Sequence, residues 1–386
     1  MGQPQYTSLL DALAAVPDPR KARGKRFAWT LLLTLLAAGL ASGHQTAHAI
    51  AQWVGLHASA LRAALPALTR LPSESTLLRT LRLIDVTVLE QAVARVTQPQ
   101  QPADTTASQV ITPAGTRLQA QAVDGKVVRG ATNCGAPTHL VSLVQHGSGV
   151  TLAQVAVAHK RNELSAVPLL LAGRDLTDTI ITSDALHTQR SLAQTIHERH
   201  GFYFMMVKAN QPQFRDDLAL FFTLPAIMAD QEHWDRVETV SYGHGRLEKR
   251  HLEVTTGDCA YLGWPGATHV FRRTCTRYSY KTGKLTTTVT YGVTNLPPKE
   301  TNAALLEALW RGHWVIESAS HHVRDVTLGE DRNHMHTGSA PQVLAALRNA
   351  FLALWRRAGW TNMADAVRAT GASVAAALAF IGASRL

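Results

Sequence analysis

The chain has 386 residues, 46% of them hydrophobic, with a formal net charge of +10 and a pI near 9.8. Such a chain is apolar enough to build a full core and long enough for two or three sub-structures. The positive balance makes nucleic acid the first partner to consider, because Lys and Arg displace counterions from phosphates. Cys134, Cys259 and Cys275 form no close pair, which excludes a zinc knuckle and a disulfide framework and fits a reducing cytosol.

Residues 1–97 read as helical. Leu9, Leu10 and Leu13 keep helical spacing before Pro17 and Pro19 interrupt the chain. A basic cluster, Arg20 to Arg26, precedes WTLLLTLLAAGLASG at 29–43. That run is short of the roughly 20 residues a membrane span needs and begins too far in for a signal peptide, so a buried helix is expected. Shorter helices are expected at 48–56 and 58–65, and Ser73 caps another through LLRTLRLID. Residues 98–113, rich in Gln, Pro, Thr and Ala, read as a linker.

From 116 the texture changes. LQAQAVDGKVV, HLVSLVQHG and VTLAQVAVAH are three strand-like runs. Helix and strand then alternate through ELSAVPLLL, DTIITSDAL, RSLAQTIHERHG, FYFMMVK and PQFRDDLALFF. The order predicts an α/β fold, a mixed sheet covered by helices. Residues 235–295 are β-rich and interrupt the pattern as an inserted sheet, and helices return after Pro298 and again over 340–386.

Asp124 and Asp184 each stand at the end of a predicted strand. Two such strands in one sheet bring two carboxylates together, and like charges that close need a cation or a shared proton. Oxygen ligands without Cys or paired-His spacing suit Mg²⁺ or Mn²⁺. A third acid comes from the predicted helix 302–324. Leu305, Leu309, Gly312, Ile316, Ala319 and Val323 form its apolar stripe, and Glu317 stands at the rim with His313, His321 and Arg324 nearby. Taken singly, each of these acids reads more readily as a turn, cap or solvated surface group than as a catalytic one.

Several stretches in order resemble the DDE transposases of bacterial insertion sequences, in the subgroup of the H-repeat-associated proteins. They are DPRKARGKRF, PSESTLLRTLRLID, VDGKVVRG, KRNELSAVPLLL, ITSDALHTQR, FYFMMVKANQP, HGRLEKR, RGHWVIES and RDVTLGEDR, spread over roughly residues 9–355. The resemblance implies a ribonuclease-H-like mixed sheet with helices on both faces, a β-rich insertion near 235–295 and an N-terminal helical domain at 1–97 that binds DNA. The catalytic domain would then run over 114–386. It implies Asp124, Asp184 and Glu317 as catalytic and metal-holding residues, with two Mg²⁺ (or Mn²⁺) ions. The partner is double-stranded DNA, both element ends and target, handled by a homodimer or larger assembly in the cytoplasm at the nucleoid, with no membrane.

Phosphate contacts are expected from Lys126 and Arg129 beside the first aspartate, and from Lys208 and Asn210 after the strand at 202–207. Arg246, Lys249 and Arg250 would form a basic ribbon in the insertion. His313 and Arg324 fall where the wider superfamily places Arg and Lys, and Trp310 where it places Tyr. Two other readings fit a basic chain of this kind: a domesticated DNA-binding protein without catalysis, and a repair or junction nuclease on the same fold.

Overall fold

A computed structural model describes residues 8–23, 25–97, 109–133, 136–157, 163–223, 234–256, 259–333, 335 and 337–383. Ten strands form one sheet: β1 (Gln109–Ile111), β2 (Arg117–Asn133), β3 (Ala136–Gln145), β4 (Thr151–Val157), β5 (Thr179–Ser183), β6 (Phe202–Val207), β7 (Trp234–Gly243), β8 (Arg246–Thr255), β9 (His269–Ser279) and β10 (Leu285–Thr294). Their order is β4-β3-β2-β5-β6-β10-β9-β8-β7, with β1 paired to the start of β2. Strand β3 runs antiparallel to both β2 and β4, whereas β5 lies parallel to β2 and β6 parallel to β5. That arrangement is the ribonuclease-H-like core.

The insertion is β-rich, as expected, but it is not a sheet of its own. Strand β10 hydrogen-bonds antiparallel to β6, so β7 to β10 extend the central sheet. The hairpin between β7 and β8 turns at His244 and Gly245, both with positive φ, the geometry that matches strand twist in a two-residue turn. Within the expected linker, 98–108 lie outside the described residues, and Gln109–Ile111 are strand β1.

Alternation along the strands sorts the sheet's two faces. Val123, Ile181, Tyr203, Met205 and Val207 face one core, covered by α7 (Glu163–Leu171), α8 (Arg190–Glu198) and α9 (Pro212–Leu220). Leu118, Ala120, Ile180, Phe204 and Met206 face the other, covered by α10 (Ala303–His313). Helices on both faces follow directly from this period of two.

The remaining helices make a third core. These are α1 (Leu9–Ala14), α2 (Trp29–Ala41), α3 (Ala47–Leu56), α4 (Ala58–Ala64), α5 (Glu74–Leu83) and α6 (Val86–Thr97). They pack with α11 (Ala340–Arg357), α12 (Met363–Gly371) and α13 (Val374–Ile381). The C-terminal helices, grouped with the catalytic domain in the sequence reading, therefore share their core with the N-terminal ones. The apolar segment 29–43 is α2, and every residue in it from Leu31 to Ala41 is buried in this core. Among the described residues no single helix is long and apolar enough to cross a membrane. Ser73 caps α5 as expected, its hydroxyl accepting from the Thr76 N–H.

Candidate active site

Strand register brings the two aspartates together. The parallel pairing of β2 with β5 ends at Val123 opposite Ser183, so Asp124 and Asp184 are the next residues on neighbouring strands. Adjacent strands run about 4.8 Å apart, so the two carboxylates are neighbours by construction. Asp184 follows the end of β5, as predicted. Asp124 does not end its strand: β2 continues to Asn133, and Asp124 sits where its parallel partner stops. Ligand atoms of Asp124, Asp184 and His187 all lie within 4.8 Å of one another.

Their surroundings set different charge states. Burial raises the Asp124 carboxyl to about 7, and the nearby Asp184 and Glu317 charges push the same way. Burial also works against the Asp184 charge, but the His187 ring and backbone overcome it and hold its pKa below the ordinary value. Asp184 Oδ1 accepts from the backbone N–H of Leu186 at 3.0 Å and of His187 at 3.1 Å, and lies 3.0 Å from His187 Nδ1. Glu317 is raised by burial and by Asp184, and Lys208 pulls it down. Among the described residues Glu317 does not join the Asp124–Asp184–His187 group and its side chain is exposed, although its charge acts on Asp124 and the Asp184 charge acts on it.

Glu317 reaches the site from an unusual helix. Past His313 the chain leaves α-helical winding and turns as π-helix over Ile316–His321 and Val323–Thr327. Wider turns of this kind are common at functional sites. The single α-helical stripe predicted through Ala319 and Val323 therefore ends near Ile316, which is fully buried while Ala319 and Val323 are half-buried. Gly312 permits the close approach: a Cβ there would collide with the His146 ring.

His187 is a site residue the sequence reading missed. It is fully buried, and its Nε2 has no hydrogen-bond partner but lies 3.8 Å from the Glu163 carboxylate. Glu163, itself buried, also lies 3.6 Å from His139. Its carboxylate packs on the Cα of Gly125, so any side chain at 125 would displace it. The three-residue spacing between Asp184 and His187 was the clue available in the sequence. Its neighbour on the other side, His321, is buried 3.7 Å from Asp124 Oδ2, and burial lowers its pKa to about 3.

Several expected phosphate contacts are instead internal. Arg324 is fully buried: Nη2 bonds Glu330 at 2.7 Å, Nε bonds it at 3.1 Å, and Nη1 reaches Gln154 and Asn349. His313 is buried with Nδ1 3.0 Å from the Thr182 hydroxyl, and burial lowers its pKa to about 4, so it carries no charge to offer a phosphate. Lys126 is buried and ion-paired with Asp325, with Glu330 and Asp331 beyond. The basic ribbon on β8 is neutralised by acids on β8 and its partner β7: Arg250 is buried against Glu248, Arg246 pairs with Glu248, and Lys249 pairs with Glu238. Asn210 donates to the Ala185 carbonyl at 2.8 Å and so pins the loop after β6 to the Asp184 loop. Lys208 and Arg129 are exposed. Among the described residues, His321 and His322 join no group of metal-ligand spacing, and His334 and His336 lie outside the described residues.

A sheet of this strand order, with two acids side by side where the β2–β5 pairing stops, defines the ribonuclease-H-like class of α/β proteins. Within that class, residues 115–355 match the family described as transposase DDE domain, and residues 10–96 match the DDE_Tnp_1-associated family. The chain belongs to the DDE transposase family. It is 30% identical over 247 residues to "Putative transposase YncI" of Escherichia coli O157:H7, covering 61% of each chain. It is 31% identical over 258 residues to "Uncharacterized protein in dhlA 3'region" of Xanthobacter autotrophicus, covering 65% of this chain and 82% of that one. To "H repeat-associated putative transposase YhhI" of Escherichia coli K12 it is 25% identical over 241 residues, covering 59% and 61%. The match thus spans 61% of the length of the first of these relatives. A piggyBac transposase synaptic complex with hairpin DNA aligns at a TM-score of 0.43 and 8% identity, over 96% of this chain and 76% of that one.

Proposed function

We propose that this chain is the transposase of an insertion sequence, cutting DNA at the element's ends and joining the freed ends to target DNA. The convergence of Asp124 and Asp184 on neighbouring strands is the observation that carries this reading, and the Glu317 charge acts on Asp124 from the turn after α10. Burial chiefly, with the Asp184 charge and to a lesser degree that of Glu317, raises Asp124 to about 7. A donor set of carboxylate oxygens fits Mg²⁺ or Mn²⁺, and the imidazole of His187 is compatible with Mn²⁺. Bound divalent ions would activate the attacking oxygen and neutralise the leaving one.

The residues divide the work. Asp124 and Asp184 would hold the ions between the two strands, with Glu317 closing the site from the π-helical turn. His187, through its Nδ1 contact, orients the Asp184 carboxylate. Lys208, exposed beside Glu317, contacts the phosphate flanking the scissile bond, and Arg129 extends the same contact along the backbone. In the first step a water oxygen attacks the scissile phosphorus and the 3′-oxygen leaves. The 3′-hydroxyl so formed then attacks a target phosphorus, loses its proton, and displaces the target strand's 3′-oxygen, which leaves as a hydroxyl. No covalent link to the protein is required.

Asp124→Ala, Asp184→Ala and Glu317→Ala are each expected to abolish divalent-dependent nicking of duplex DNA while DNA binding persists. An Asp184→Ala protein that nicked at the wild-type rate would refute the assignment.

A further inference from the structure

Away from the acidic centre, a groove of about 860 Å³ opens in the helical core between the segment joining α1 to α2 and the exposed side of α5. Five cations line it: Arg20, Arg23, Lys25 and Arg26 from the segment, and Arg79 from the helix. No carboxylate lines it. Its volume equals that of nearly 30 waters at about 30 Å³ each, several times what one phosphate group fills.

The wall is built before any ligand arrives. Arg20 clasps Asp18 with Nε at 2.8 Å and Nη2 at 3.0 Å, and Nη2 also donates to the Phe27 carbonyl at 2.9 Å. Its guanidinium lies 5.1 Å from the Trp29 ring, whose Nε1 in turn donates to the Val16 carbonyl. Lys25 reaches the same Asp18 at 3.0 Å. Asp18 is therefore spent on Arg20 and Lys25 and offsets one of the five charges. Arg23, Arg26 and Arg79 are exposed, and among the described residues no carboxylate pairs with them. In the β-rich extension, by contrast, Arg246, Arg250, Arg272 and Arg273 each meet a carboxylate. Like charges gathered without an anion are costly, and arginine forks match phosphate oxygens two at a time.

We propose that this groove holds the phosphodiester backbone of duplex DNA, as a second contact distinct from the acidic centre. It sets affinity and leaves the chemistry to Asp124, Asp184 and Glu317. The inference rests on the transposase reading and names the place where the helical core grips its substrate.

The test uses the full chain and a fluorescein-labelled duplex of arbitrary sequence, with chelator present so that binding is read without cleavage. The variant Arg23→Gln, Arg26→Gln, Arg79→Gln keeps the Arg20–Asp18–Lys25 wall. Each phosphate contact contributes about 0.9 to the slope of log affinity against log salt, so the triple variant should lose about 2.7 from that slope. At about 0.1 M salt this is a loss of several hundredfold. Each single variant should lose about a third of the slope change, so the prediction survives a triple variant that folds poorly. Replacing the same three by Lys should retain most of the slope, because the point charge remains. Duplex affinity and slope unchanged in the triple Gln variant, while the unaltered chain binds and nicks DNA, would overturn the groove and leave the acidic centre standing. If the unaltered chain bound no duplex at low salt, both readings would fall. Loss of binding to phosphatidylserine vesicles with duplex binding intact would overturn the groove in favour of an acidic lipid surface.

Discussion

Replacing Asp124 by Asn should stabilise the metal-free protein and abolish its chemistry. Asp124 titrates at about 7 in the folded chain, against 3.8 for an ordinary aspartate, chiefly because burial disfavours its charge. The folded state therefore keeps a proton between about pH 4 and pH 7 that the unfolded chain has released. Stability falls as pH rises through that window and levels off above it, because the folded state binds more protons there. Three pH units at 1.36 kcal/mol each give a ceiling of about 4 kcal/mol, and sharing of the proton with Asp184 brings the expected figure to about 2–4 kcal/mol. Asn cannot ionise, so the variant should match the wild type near pH 4 and exceed it by that amount near pH 8. Urea unfolding in chelator at both pH values measures the difference. Adding Mg²⁺ near pH 8 should stabilise the wild type and leave Asp124→Asn unmoved. Parallel stability curves for the two proteins across the range would show that Asp124 feels no such repulsion, and the electrostatic account of the site would fail.

His187→Ala removes the ring that orients Asp184, and nicking at limiting Mn²⁺ should fall about 10–100-fold, with recovery at high Mn²⁺; a loss that no metal concentration restores would point to misfolding. Arg324→Ala leaves Glu330 buried without its main partner and should cost about 3–5 kcal/mol in urea unfolding. Arg324→Lys should recover little of it, since the bonds to Glu330, Gln154 and Asn349 need the planar fork; full stability with weakened DNA binding would instead restore Arg324 as a phosphate contact. Gly312→Ala drives a Cβ into His146 and should cost about 1–3 kcal/mol and displace the turn bearing Glu317, read as lost nicking with DNA binding retained.

The two aspartates were legible because each follows an apolar run, a pattern local to a few residues, although β2 runs on past Asp124 to Asn133. Their pairing was only an expectation, since strand register is a long-range property that β2 and β5 decide between them. The same non-locality hid the continuation of the sheet through β10 into β6 and the return of α11 to α13 to the N-terminal core. An amphipathic stripe states that a helix will bury one face but not against what. Charged residues misled for a related reason. Lys126, Arg250 and Arg324 look like phosphate ligands when read singly, and only their carboxylate partners, Asp325, Glu248 and Glu330, show that the charge is already spent. For Arg250 and Arg324 those partners stand within six residues, close enough for the sequence to have hinted at them.

The departures from the wider superfamily pattern at 313 and 324 have one physical explanation. Both flank Glu317, and both are anchors rather than ligands. On one side, His313 Nδ1 meets the Thr182 hydroxyl, which also bonds His146 and the Gln121 carbonyl, so the end of α10 is tied to β5 and β2 directly beneath the aspartates. On the other, Arg324 is held by Glu330, which Arg348 of α11 and Lys126 of β2 approach at 3.4 and 3.6 Å. The π-helical turn between them would otherwise be free to rewind as α-helix, rotating Glu317 away from Asp124. Two buried polar clamps, one to each side, remove that freedom, because each would leave unpaired polar groups behind if the turn rewound. A charged, exposed residue at either position could touch phosphate but could not hold the turn.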